Sequence, residues 1–159
     1  DMIRAAKEHN ITMQLDRQAG VLLAGTAHRI NAERGAKVGG ARQWLARVNA
    51  SYDEPSQFAS LAHELAHIYC GHLGDDPKGA WPDRSGLGHH ECEIEAEAAA
   101  WLVCRRNNVK TGSAAYLLGH LQRADLSKVS MYAIFEAANR IESRMVRRAP
   151  RPAAKGGKP

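Results

Sequence analysis

The sequence predicts a single α+β domain, a short antiparallel sheet packed on a mainly helical core. Ile11-Thr12-Met13-Gln14-Leu15 and Val21-Leu22-Leu23-Ala24-Gly25 are β-prone segments separated by a turn-forming stretch from Asp16 to Gly20, the pattern of a hairpin. From Asp53 onward the apolar residues recur instead at helical spacing. With 159 residues and 44% hydrophobic content, the chain can bury one core of its own without disulfides.

Taken in order, Met2 to His9 suits a short helix, followed by the two strand segments. Gln43-Trp44-Leu45-Ala46-Arg47-Val48 reads as a third strand. In Ser51-Tyr52-Asp53-Glu54-Pro55, Asp53 is suited to capping a helix and Pro55 is tolerated only in its first turn. Phe58, Leu61, Leu65, Ile68 and Tyr69 then mark one buried side of that helix. Gly71 and Gly74 end it, with Asp75-Asp76-Pro77 as a turn. Glu91 to Cys104 is rich in strong helix formers and predicts a second long helix. Helices over about 113–123 and 128–148 complete a domain spanning 1–148, and the Pro/Ala/Gly-rich residues 149–159 read as a basic disordered tail.

The chemistry is concentrated in His63-Glu64-Leu65-Ala66-His67. Residues four apart share a helix face, so both imidazoles can reach one metal ion while Glu64 stands beside it as a general base. This is the layout of a zinc hydrolase, and it needs a third protein ligand. Metalloproteases of the metzincin kind place a Gly and a third His at fixed later offsets. Here Cys70 and Leu73 hold those offsets and Gly71 and His72 come one residue early, which makes His72 a weak ligand candidate.

The second helix is the better source. Its Glu93 and Glu97 are four apart and share a face with Ala96, Ala100 and Cys104, small residues that permit close packing on the first helix. Glu95 points away from both, and Glu91 and Glu95 read as the solvated side. Glu93 is therefore assigned as the third ligand, and Glu97 as the carboxylate that holds a ligand histidine by its other ring nitrogen. His28, His89, His90, Tyr116 and His120 read as structural, with one of them available to stabilise an oxyanion.

These residues resemble the ImmA/IrrE metallopeptidase family: the His63 to His67 motif, then Glu93-Ile94-Glu95-Ala96-Glu97 running into Ala99-Ala100-Trp101-Leu102-Val103. There is a more distant likeness to the metallopeptidase domain of ArdC-type antirestriction proteins. The resemblance covers about residues 40 to 105. It implies a small zincin-like fold and one zinc ion held by His63, His67 and Glu93, with Glu64 as base. It also implies a protein substrate, in the characterised cases a helix-turn-helix repressor. It makes the 43–48 strand the candidate edge for pairing an extended substrate. The family's second helix often has Asn where this chain has Glu97. The alternative from a different class is a zinc-bearing but catalytically silent interaction domain of a mobile-element or stress-response regulator.

Composition narrows the setting. Three cysteines (Cys70, Cys92, Cys104) without a framework pattern are expected of a reducing, cytoplasmic compartment. No stretch has the ~18 apolar residues of a membrane helix. Starting with Asp1 rather than Met is what a part of a longer chain would show. Residues 144–159 hold six of the 22 Lys/Arg and no acid, leaving 16 basic against 17 acidic groups in the remainder. The fold itself is nearly neutral, so specific nucleic-acid recognition by it is not expected.

Overall fold

The strand Gln43–Asn49 is the most deeply buried of the described strands and takes the centre of the sheet, with Trp44, Leu45, Ala46, Val48 and Asn49 all buried. The computed structural model describes residues 10–17, 24–30 and 43–145. The strands are β1 (Ile11–Asp16), β2 (Gly25–Ile30) and β3 (Gln43–Asn49), in the order β1-β3-β2. β1 runs parallel to β3, from Ile11 beside Trp44 to Asp16 beside Asn49. β2 runs antiparallel to it, from Gly25 beside Val48 to Ile30 beside Gln43.

The sheet is thus mixed, not antiparallel, and the expected hairpin between the first two strands is not formed. A strand buried on both faces satisfies its backbone by taking a neighbour on each edge, and β3 separates the other two by doing so. β1 alternates as expected, Ile11 and Met13 inward and Thr12 and Gln14 outward. The second strand lies at 25–30 instead of 21–25. Its Thr, His and Arg suit an edge strand that is half exposed, and 21–23 lie outside the described residues. With both its edges paired, β3 cannot be the edge for a substrate; among the described residues β2 pairs on one side only.

The helices are α1 (Glu54–Tyr69), α2 (His89–Arg106), α3 (Ser113–Leu121) and α4 (Met131–Met145), with a single 3-10 turn at Leu126–Lys128 before α4. Asp53 caps α1 as its sequence suggests, accepting from the Ser56 N–H at 3.0 Å with Pro55 in the first turn. α1 ends at Cys70, and Gly71 follows with φ +81°, where a side chain would lie 2.1 Å from the Pro82 carbonyl oxygen. The loop from Gly71 to Gly88 is pinned by Trp81. Its ring packs edge-on against Trp44 and Tyr69 while its indole N–H donates to the Gly74 carbonyl at 3.0 Å.

α1 and α2 pack against each other, and Ala62 and Ala66 on one and Ala96, Ala99 and Ala100 on the other let the backbones approach closely. α4 closes the core with Ile134, Ala137, Ala138 and Ile141, and packs on both. The three cysteines are free thiols. No described helix is long and apolar enough to cross a membrane. The short helix over 2–9 and the tail from 149 lie outside the described residues.

Candidate metal centre

Helix periodicity brings the two motif histidines together. Their Nε2 atoms are 3.1 Å apart, the imidazoles projecting from successive turns of α1. Glu93 reaches across from α2, its Oε2 3.6 Å from His63 Nε2 and its Oε1 3.4 Å from His67 Nε2. A tetrahedral ion with bonds of ~2.0–2.1 Å to nitrogen and oxygen has ligand atoms about 3.3–3.4 Å apart. The 3.1 Å between the two nitrogens and the 3.4–3.6 Å from each of them to one oxygen of the Glu93 carboxylate are close to that edge length, so the donor chemistry and spacing suit a zinc-sized ion. His63, His67 and Glu93 form a group able to hold a metal ion.

The hydrogen bonds behind the ligands fix how they present themselves. His63 Nδ1 lies 3.0 Å from Glu97 Oε2, and a carboxylate can only accept, so the proton sits on Nδ1 and the Nε2 lone pair faces the centre. His67 is held through a longer chain. Its Nδ1 donates to His72 Nδ1 at 3.0 Å, His72 Nε2 donates to Glu95 Oε2 at 3.0 Å, and both oxygens of Glu95 accept from the Arg84 guanidinium. Glu95 Oε1 also accepts from the Ser130 N–H at 2.6 Å, at the start of α4. The protons are assigned from this network. Both ligand histidines thereby offer Nε2.

The electrostatics agree with a site built for a cation. Burial alone would lower the pKa of His63, but hydrogen bonds to Glu93 and Glu97 and the charge of Glu64 outweigh it and push the imidazole up to about 9. Burial, reinforced by the positive charge of His63 beside it, lowers the pKa of His67 and holds it neutral. Glu93 is desolvated, yet its contacts with His63 and His67 keep its carboxyl well below the usual range. In the absence of a metal ion, a proton on His63 supplies the positive charge that the carboxylates demand. Glu64 is not in the ligand set. It is 9% exposed and faces the cleft, and burial raises its pKa to about 7, the positive His63 opposing and Glu93 reinforcing the rise.

The cleft has a volume of ≈ 530 Å³ and is bounded by Gly25 of β2, Tyr52, His63, Glu64, Glu97 and Tyr116. Gly25 is required by close approach: a Cβ there would lie 2.9 Å from both Glu64 Cγ and Glu64 Oε1. From α3, Tyr116 donates its hydroxyl to Glu93 Oε2 at 3.0 Å. Burial, followed by its contact with Glu93, pushes that phenol up to about 12.

The sequence expectation for the other two glutamates is overturned. Glu95 is completely buried and Glu91 nearly so, neither of them on a solvated side. The side of α2 away from the centre is covered by the 71–88 loop and the chain entering α4, where Glu95 meets Arg84 and Ser130, and Glu91 accepts from the Asp125 N–H at 2.6 Å. His72, a weak ligand candidate in the sequence, is a support for His67. Arg84, Ser130 and Gly25 were missed; the only sequence signal for Arg84 was a cation set among Pro82, Asp83, Ser85 and Gly86.

Cys70, His72 and Glu95 also present ligand atoms within 4.8 Å of one another. They do not fit a metal ion, because the Glu95 oxygens are taken by Arg84, His72 and Ser130. Burial also drives the Cys70 thiol far above the ordinary range, keeping it protonated. No family model matches the chain, and no curated protein or solved structure is found similar to it.

Proposed function

We propose that this chain is a cytoplasmic zinc metallo-endopeptidase similar to the ImmA/IrrE family, cleaving a peptide bond in a protein substrate such as a helix-turn-helix repressor. One observation carries the reading: two imidazole nitrogens and the Glu93 carboxylate converge within 3.1–3.6 Å while a fourth residue, Glu64, sits outside that set, buried and open to the cleft. A structural metal site has no use for such a carboxylate. His63, His67 and Glu93 would hold the ion. When bound, zinc lowers the pKa of water toward ~7 and polarises the scissile carbonyl.

The rest is the work of the chain's own groups. Glu64, with a pKa of about 7 before any ion is bound, lies in the range where one group serves as base and then as acid near neutral pH. It takes the proton of the attacking water and passes it to the leaving amine. Tyr116 is the donor for the developing oxyanion: its hydroxyl already lies at the centre, and its high pKa keeps it protonated. Gly25 of β2 lines the same cleft, and the edge of β2 that pairs with no described strand is offered to an extended substrate segment, taking over the role expected of the 43–48 strand.

The test is coexpression with a helix-turn-helix repressor encoded nearby, comparing the wild type with Glu64→Gln. The variant keeps side-chain size but cannot accept a proton. Cleavage by wild type alone is the expected result, and equal cleavage by both removes Glu64 from the mechanism.

A further inference from the structure

A second cluster of imidazoles lies beside the first. His89 and His90 occupy the first turn of α2, directly after Gly88, and His120 lies in the last turn of α3. Their ring centroids are 5.2–5.7 Å apart. His90 Nδ1 and His120 Nδ1 approach to 3.1 Å, and each of the three residues offers a ring nitrogen within 4.8 Å of the others. Attraction among the imidazoles does not account for this. Protonated, they repel; neutral, one N–H···N bond satisfies two rings and gives the third nothing. The nearest carboxylate oxygen the structure records is Glu93 Oε1, 3.8 Å from His89 Nδ1, and it already belongs to the main centre. Three convergent imidazoles are the donor set of a borderline cation such as Zn²⁺, Cu²⁺ or Ni²⁺, whereas Mg²⁺ and Ca²⁺ call for oxygen.

We propose that His89, His90 and His120 form a second site for a divalent transition-metal ion, one that clamps the end of α3 to the start of α2. The His89 side chain is 72% exposed, so this site exchanges freely with solvent and binds more weakly than the buried centre. Its consequence runs through α3. Tyr116 lies one helical turn before His120, the two rings 4.9 Å apart, and Tyr116 also bonds to Glu93. A metal ion on the three histidines therefore fixes the helix that carries Tyr116 over the main centre. The two sites have no protein ligand in common, so the second stands whether or not the first is hydrolytic.

The experiment is calorimetric titration of the metal-free protein with Zn²⁺ and, separately, Ni²⁺, with hydrogen exchange of α3 read at each equivalence point. The wild type should show a tight and a weaker binding step, with exchange in α3 slowing on the weaker one. His90→Gln and His120→Gln, both substitutions of half-buried side chains by a polar one, should weaken that step by about 100-fold, the upper end of what loss of a mere supporting group costs a metal site, and leave the tight step intact. His63→Ala should do the reverse, which separates failure of this proposal from failure of the main centre. A single binding step in the wild type, a weaker step that survives both Gln variants, or binding without protection of α3 overturns the proposal.

Discussion

Replacing Glu95 with Ala tests the buried network behind the main centre. The substitution strands the Arg84 guanidinium, the His72 Nε2–H and the Ser130 N–H, all of which Glu95 now accepts from. Although desolvation pushes its pKa upward, His72, Arg84 and the Ser130 N–H prevail and hold the carboxyl at about 2 instead of 4.5. At ~1.4 kcal/mol per pH unit, that corresponds to about 3 kcal/mol at neutral pH. Removing one partner of a buried ion pair independently costs about 3–5 kcal/mol, and the two figures agree. For a chain of this size the loss translates to roughly 6–12 °C in Tm. Because the folded-state pKa is depressed, the stabilisation is present above pH ~4.5 and is lost as pH falls through ~2. Urea unfolding of wild type and Glu95→Ala should therefore differ by about 3 kcal/mol at pH 7 and converge toward pH 2. Zinc affinity should drop by about 10–100-fold as His67 loses its support. A difference below about 1 kcal/mol at pH 7, with zinc affinity unchanged, would mean that Glu95 is the solvated residue the sequence alone suggests.

Three further outcomes follow from the cleft. Gly25→Ala drives a methyl group to 2.9 Å from Glu64; it should keep zinc but lose ~10²-fold in hydrolysis by displacing the base, and unchanged turnover would show that the β2 backbone does not position Glu64. Tyr116→Phe should also keep zinc and lose ~10²–10³-fold in kcat with KM little altered, as loss of an oxyanion donor does; a change confined to KM contradicts that role. Zinc must displace the proton of His63, whose pKa of about 9 is raised by Glu93 and Glu97 against the effect of burial. A raised pKa stabilises the metal-free fold fully below 6.5, and that contribution is lost as pH rises through about 9. Apparent zinc affinity, followed by chelator competition, should accordingly rise between pH 6.5 and 9 by up to ~10-fold per pH unit, and a flat profile would mean that His63 is not protonated in the metal-free state.

The helices were legible because their signals are local. Asp53, Pro55 and the 3.6-residue recurrence from Phe58 to Tyr69 depend on no distant partner, and the same periodicity separated Glu93 and Glu97 from Glu95. The structure brings His63, Glu64, His67, Glu93 and Glu97 together as that reading placed them. Sheet order was not legible. Two strands with a turn between them read as a hairpin, and nothing local to residues 11–25 reveals that the buried strand 43–49 inserts between them. The environment of Glu95 was missed for a related reason: a helical wheel tells which way a side chain points, not what the rest of the chain brings to meet it. Gly25 illustrates the same limit, since only the tertiary fold sets its backbone against Glu64.

The central claim is that His63, His67 and Glu93 bind one zinc ion while Glu64 stands outside the ligand set. The most direct measurement is tightly bound zinc per chain in Glu93→Ala and Glu64→Gln, purified side by side with the wild type and dialysed to remove weakly held metal. Glu64→Gln should retain the wild-type complement, and Glu93→Ala should lose it because two imidazoles alone hold the ion weakly. Full zinc in Glu93→Ala, or its loss from Glu64→Gln, contradicts the assignment.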